Sequence, residues 1–151
     1  MALFAGTFEN KVDAKGRVSI PAPFRAELEG QAPGGVYLYP SLTSTCLTGC
    51  TVEWMEEMKA GLKSLPTFSK KRQALTTAIF GRARLVKLDD DGRIVLPRDF
   101  ADQAGIDNKA AFVGLAETFE IWNPDAAAKA QEDAVSLLLE EGLEFSLDGD
   151  T

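Results

Sequence analysis

Apolar and polar residues alternate in short runs over the first fifty positions, many of them bounded by glycine or proline, and the same succession returns after position 82. A period of two marks a half-buried strand. The segment from Phe4 to Val12 therefore reads as a strand, followed by the turn Asp13-Ala14-Lys15-Gly16 and a short strand from Arg17 to Ile20 that Pro21 ends. Ala83 to Leu88, the turn Asp89-Asp90-Asp91-Gly92 and Arg93 to Leu96 before Pro97 repeat the plan. Asp13 and Asp89 stand where a type I turn favours aspartate, and Gly16 and Gly92 stand three residues on, where a left-handed residue closes a hairpin. Turn chemistry alone accounts for these four residues. A short helix follows each hairpin, Ala22 to Leu28 and Arg98 to Ala104, the second stopped by Gly105. Two further strands complete each unit: Val36 to Tyr39 with Thr45 to Gly49, then Ala111 to Gly114 with Thr118 to Ile121.

Helical spacing takes over where each unit ends. Val52 to about Lys63 carries Trp54, Met55, Met58 and Leu62 on one face, and after a break at Pro66 a basic helix is predicted from Thr67 to Phe80. In the second half Asn123 is a favourable N-cap, Pro124 and Asp125 suit the first turn, and Gly142 can stop the helix. Trp54 and Trp122 open these stretches and read as packing residues.

Aligned at an offset of 76, residues 12–24 (VDAKGRVSIPAPF) and 88–100 (LDDDGRIVLPRDF) match at apolar, Asp, Gly, Arg, Pro and Phe positions, so the chain is a tandem duplication. It divides into a first unit with its helix (1–64), a basic connecting helix (65–81), a second unit with its helix (82–142) and an acidic tail (143–151).

Charge changes this picture. The net charge of −7 disfavours a polyanionic partner at first sight, yet residues 58–88 carry eight basic side chains and no acidic one, while residues 99–151 carry 13 acidic and two basic. A locally cationic face can still meet DNA. The run Lys70-Lys71-Arg72 with Arg82 and Arg84 reads first as a solvated helix face and second as a phosphate clamp. Chemistry is sparse. The chain has no histidine, no nucleophile elbow, no phosphate-cradling glycine loop and no grouped metal ligands, so no enzyme, cofactor, metal or small-molecule substrate is expected. Cys46 and Cys50 read as two reduced structural thiols. No apolar run is long enough to span a bilayer and the N-terminus has no leader pattern, which leads to the expectation of a cytoplasmic protein.

Arginine at 17 and 93 is different from the turn residues, because no turn type demands it there. It calls for either a packing pair with the preceding aspartate or a ligand contact. The paired Asp-x-x-Gly-Arg hairpins within VDAKGRVSIPAPFR and LDDDGRIVLPRDF, together with FVGLAETFEIWNP, resemble the MraZ family, whose relatives share the swapped-hairpin fold of AbrB-type DNA-binding domains. The likeness runs from about Phe4 to about Glu140. It implies an α+β fold of two tandem swapped-hairpin units forming a pseudo-symmetric β-barrel core with packed helices. It further implies a sequence-specific, nucleoid-associated regulator that assembles as a homo-oligomeric ring on double-stranded DNA with repeated sites, among them those of its own cell-division and cell-wall operon. Carried onto these positions, it marks Lys15, Arg17 and Arg93 for DNA and Asp13, Gly16, Asp89 and Gly92 for the turns. Asp90 and Asp91 surround the second turn with carboxylates, so the first hairpin is expected to dominate DNA contact and the second to be mainly structural. The competing reading is an antitoxin-like protein-interaction module, whose usual form has a single hairpin and a long tail.

Overall fold

The computed structural model describes residues 2–30 and 34–145. Thirteen elements follow one another: β1 (Thr7–Lys11), β2 (Arg17–Ser19), α1 (Ala22–Leu28), β3 (Gly35–Pro40), β4 (Leu47–Cys50), α2 (Val52–Leu62), α3 (Lys70–Ile79), β5 (Arg84–Lys87), β6 (Arg93–Val95), α4 (Arg98–Gln103), β7 (Lys109–Leu115), β8 (Thr118–Trp122) and α5 (Pro124–Glu141). The class is α+β with antiparallel pairing, as expected. Of the predicted acidic tail, residues 146–151 lie outside the described residues.

Six strands form one sheet in the order β1-β7-β8-β4-β3-β5, and β2 pairs with β6 as a separate two-stranded ribbon. The first strand of each repeat thus lies beside the third strand of the other: β1 on β7 and β5 on β3. The expected closed barrel does not form among the described residues. Pro21 and Pro97 end β2 and β6 after three residues, and these strands pair with each other as a separate ribbon, so β1 and β5 are not paired with one another among the described residues.

Side-chain alternation gives the sheet two covered faces. On the inner face Val36, Leu38, Leu47, Ala110, Phe112, Phe119 and Ile121 meet Val18 and Ile94 of the ribbon with Phe24 and Phe100 of the short helices. Phe4, Phe24 and Phe119 stack about one another with centroids 5.1–5.4 Å apart. Burying each such ring contributes about 1.5–3 kcal/mol. On the outer face Ala126, Ala127 and Ala130 of α5 cover Ala111, Val113 and Trp122, while Met55 and Ile79 of the α2–α3 pair cover Tyr39 and Cys50. Burial pushes the Cys46 and Cys50 thiols up to about 12, so both stay protonated and fill space.

Several boundaries shift for local reasons. Strand β4 starts at Leu47 rather than Thr45, because Ser41 Oγ accepts the Thr43 and Ser44 amides and folds that segment into a turn. Helix α3 starts at Lys70 rather than Thr67, because Ser69 Oγ accepts the Arg72 amide and caps it there. Asn123 caps α5 by accepting from Asp125 and Ala126, and Gly142 ends it, as predicted. Arg82 and Arg84 are not on a helix face: Arg84 lies on β5, forks onto Asp99 with two 2.7 Å bonds and stacks 4.2 Å over Phe100.

Gly49 faces Phe119 across β4 and β8, and a Cβ there would stand 2.5 Å from the ring edge. Gly49→Ala must displace a fully buried aromatic, so it is expected to cost about 1–3 kcal/mol. Thermal melts compared with wild type check this, and an unchanged midpoint would show that the ring moves freely.

Candidate nucleic-acid interface

The site is built on the two turns. The Gly16 amide donates to the Asp13 carbonyl and the Asp13 amide to the Arg17 carbonyl, which closes the first hairpin, and Asp89, Gly92 and Arg93 repeat both bonds. Gly16 and Gly92 sit at φ of +80° and +77°, a left-handed backbone that glycine adopts at no steric cost. The aspartates do more than favour a turn. Asp13 Oδ1 accepts the Lys15 and Arg17 amides at 2.9 Å, and its Oδ2 accepts Arg17 Nε at 2.6 Å. Asp89 makes the matching set with the Asp91 and Arg93 amides and Arg93 Nε.

Of the two roles open to the arginines, the pair with the aspartate is formed. Each is paired with its aspartate through Nε, and the pairing holds the guanidinium at a fixed angle with its terminal nitrogens directed onward. The terminal nitrogens of Arg17 have no partner among the described residues, whereas Arg93 Nη2 lies 3.6 Å from Asp91. The two turns are alike in backbone and different in charge.

The ribbon sets where these groups point. In its register Arg17 faces Val95, Val18 faces Ile94 and Ser19 faces Arg93. Alternation sends Val18 and Ile94 into the core and leaves Arg17, Ser19, Arg93 and Val95 together on the outward face. Val95 is 53% exposed, an apolar group placed between polar ones. The sequence signal for it was present in the alternation but reads as ordinary strand composition.

Each turn packs against the short helix of the opposite repeat. Val12 to Gly16 and the segment Leu96 to Asn108 enclose a cleft of about 810 Å³, in which Lys15 and Arg98 stand on the rim with Asp13, Asp102 and Asp107. The second turn encloses a smaller one, about 380 Å³, with Arg25 and Glu29. The difference has a simple cause. Arg25 corresponds at the 76-residue offset to Ala101, and its side chain lies over Gly92 with Nη1 donating to the Ile20 carbonyl, filling space that Ala101 leaves open. Arg98 was not singled out from the sequence; it is visible as a companion of Lys15 once the turn is folded against α4. The basic residues 58–88 do not join this site as a group. Lys70 and Lys71 are exposed on α3, on the far face of the sheet, and Arg72 bonds the Leu65 carbonyl and Thr67 Oγ1.

Ionised carboxylates hold all of this. The backbone amide of Arg17 keeps Asp13 below the usual carboxylate range, that of Arg93 does so for Asp89, and the Arg84 guanidinium does so for Asp99. A carboxyl whose folded pKa is depressed stabilises fully above its unfolded value and ceases to as pH falls through the folded one. Stability is therefore expected to be level above the ordinary aspartate value of 3.8 and to fall below it. Denaturant melts from neutral to acid pH measure the slope, which Asp99→Asn should make shallower.

A profile of the MraZ family, described as antitoxin-like, matches residues 3–36 and 79–139. A protein of Rickettsia akari named transcriptional regulator MraZ is 38% identical over 141 residues, 93% of this chain and 95% of that one. One of Gluconobacter oxydans with the same name is 40% identical over 139 residues, covering 90% of this chain and 85% of its own. A third, from Rickettsia bellii, is 39% identical over 137 residues, with 87% and 91% covered.

Proposed function

Because this chain belongs to the MraZ family, we propose that it is a transcriptional regulator that reads DNA with the outward face of the β2–β6 ribbon. One observation carries this reading: Arg17, Ser19, Arg93 and Val95 share the outward face of an antiparallel strand pair, Val95 exposed and the other three partly so. A two-stranded ribbon is one of the elements that fit a major groove about 12 Å wide. There a guanidinium forks onto the acceptor pair of guanine, a hydroxyl bonds to either partner, and an apolar group meets the thymine methyl. Lys15 and Arg98 flank the ribbon end on the cleft rim, where they suit phosphates.

The two hairpins divide the work. The terminal nitrogens of Arg17 have no partner among the described residues and a lysine stands beside it, so the first turn makes the stronger contact; Arg93 is shared between Asp89 and Asp91, and Asp90 adds another repelling charge. Contacts this few give weak binding from a single copy. Useful affinity comes from a homo-oligomeric ring whose subunits engage repeated sites together. The family likeness extends the reading to the swapped-hairpin arrangement, to association with the nucleoid and to control of the chain's own cell-division and cell-wall operon. A second reading, an antitoxin-like interaction module, draws on the family's description and on exposed apolar residues along α5.

Arg17→Ala is expected to cost about 1–3 kcal/mol per engaged contact, multiplied across subunits, with little change in thermal stability. Arg93→Ala should weaken binding less and lower the melting point more, since it also removes the Asp89 and Asp91 pairings. Electrophoretic shift titrations and melting curves on both variants, with sites drawn from genome-wide capture of bound DNA, decide it. Wild-type DNA binding by Arg17→Ala would overturn the ribbon as the contacting element, and capture of a foreign protein without DNA would favour the interaction module.

A further inference from the structure

Helix α5 leaves the body partway along its length. It starts where β8 ends, its first turns pack on Ala111 and Val113 of β7, and Gln131 Nε2 donates 2.8 Å to Thr7 Oγ1 on the outer strand β1. It has thus crossed the sheet to its edge. From Gln131 to Glu141 every residue is exposed, roughly 16 Å of helix at 1.5 Å per residue. Val135, Leu138 and Leu139 fall at i, i+3 and i+4 on one side of that overhang, 58%, 47% and 78% exposed, bordered by Glu132, Asp133, Glu140 and Glu141. A helix segment this short is marginal in water by itself, and a clustered apolar stripe of this kind marks a contact surface.

The complementary surface lies over another part of the sheet. There α2 and α3 form a helical pair beside β3, and their connection carries Phe68, 97% exposed. The connection has a defined shape, since Arg72 donates to the Leu65 carbonyl and Thr67 Oγ1 and Ser69 accepts the Arg72 amide. Lys63, Lys70 and Lys71, on the chain either side of the phenylalanine, are exposed, and no acidic residue occurs between 58 and 88. One surface is an apolar stripe edged with carboxylates; the other is an apolar knob edged with ammonium groups. Helix α5 reaches the β1 edge of the sheet, whereas α2 and α3 lie over β3 and β4, so the two surfaces are separate patches of one chain.

We propose that the exposed half of α5 docks on the α2–α3 tip of a second copy, with Val135, Leu138 and Leu139 against Phe68 and the flanking carboxylates against Lys63, Lys70 and Lys71. The two surfaces are different patches of the chain, so the contact is head-to-tail and each copy both gives and receives it, which is how rings are generated. The inference rests on the self-assembly in the proposed reading and adds the surfaces responsible; it does not depend on DNA.

Sedimentation velocity without DNA at micromolar protein tests it. Wild type is expected to assemble beyond a dimer, and Phe68→Asp, or Val135→Asp with Leu138→Asp, to sediment as a monomer with an unchanged circular-dichroism spectrum. Lys70→Glu with Lys71→Glu should dissociate the assembly, and adding Glu140→Lys with Glu141→Lys to the same chain should restore it. That exchange keeps the test decisive if an aspartate variant misfolds. A monomeric wild type, charge reversals that do not compensate, or a folded Phe68→Asp that stays assembled would overturn the proposal, the last indicating that α5 meets another α5 or a different patch. Assembled protein indifferent to DNA would sink the regulatory reading and leave this one standing, and a monomer that binds DNA would do the reverse.

Discussion

Neither repeat can complete its own fold, and the pairing of β2 with β6 is where that dependence is greatest. Each strand is three residues long and carries one fully buried side chain, Val18 or Ile94. The ribbon is joined at both ends by reciprocal bonds, from the Ile20 amide to the Gly92 carbonyl and from the Leu96 amide to the Gly16 carbonyl. A two-stranded element alone is marginal in water, so its stability comes from the core beneath it, to which both repeats contribute phenylalanines. The exchange of outer strands in the large sheet adds to this. A duplicated chain of independent units unfolds one repeat at a time; here the shared core makes the whole chain the unfolding unit.

The same pairing explains why the aspartates matter beyond their turns. Because each turn feeds a strand with its partner in the other repeat, an error in one hairpin would misplace the outward residues of both. Three acceptor bonds from a single carboxylate remove that freedom at positions 13 and 89. The cost is that each arginine spends one nitrogen at home. Its Nε is committed to structure, while the terminal nitrogens have no further partner among the described residues at Arg17 and meet Asp91 at Arg93.

Much of this was legible in the sequence. The duplication shows in a direct comparison at an offset of 76, and both hairpins, the caps of α5 and the pairing of Arg93 with its neighbouring carboxylates follow from local rules, since each depends on residues within four positions of one another. What was not legible depends on contacts between distant segments. No local signal states that β1 pairs with β7 rather than closing a barrel. Arg84 reads as one more charge in a basic run until the fold brings Asp99 and Phe100 to it. Val95 and Arg98 acquire meaning only when β6 is set beside β2 and α4 beside the first turn, because exposure on a shared face is a property of the assembled ribbon.

The unlike charges of the two turns give the ribbon a polarity. In a dimer of single hairpins the two turns are identical by symmetry, and the surface between them looks the same after a half rotation. Fusing the copies into one chain frees each to change alone: Lys15 stands at one end and Asp91 at the other, with Arg25 filling the space at one end that Ala101 leaves vacant at the other. An object with a head and a tail lies on a duplex in a defined direction. Under the DNA-reading role proposed above, such a ribbon would favour sites repeated in the same sense over the inverted half-sites that suit a symmetric dimer of single hairpins.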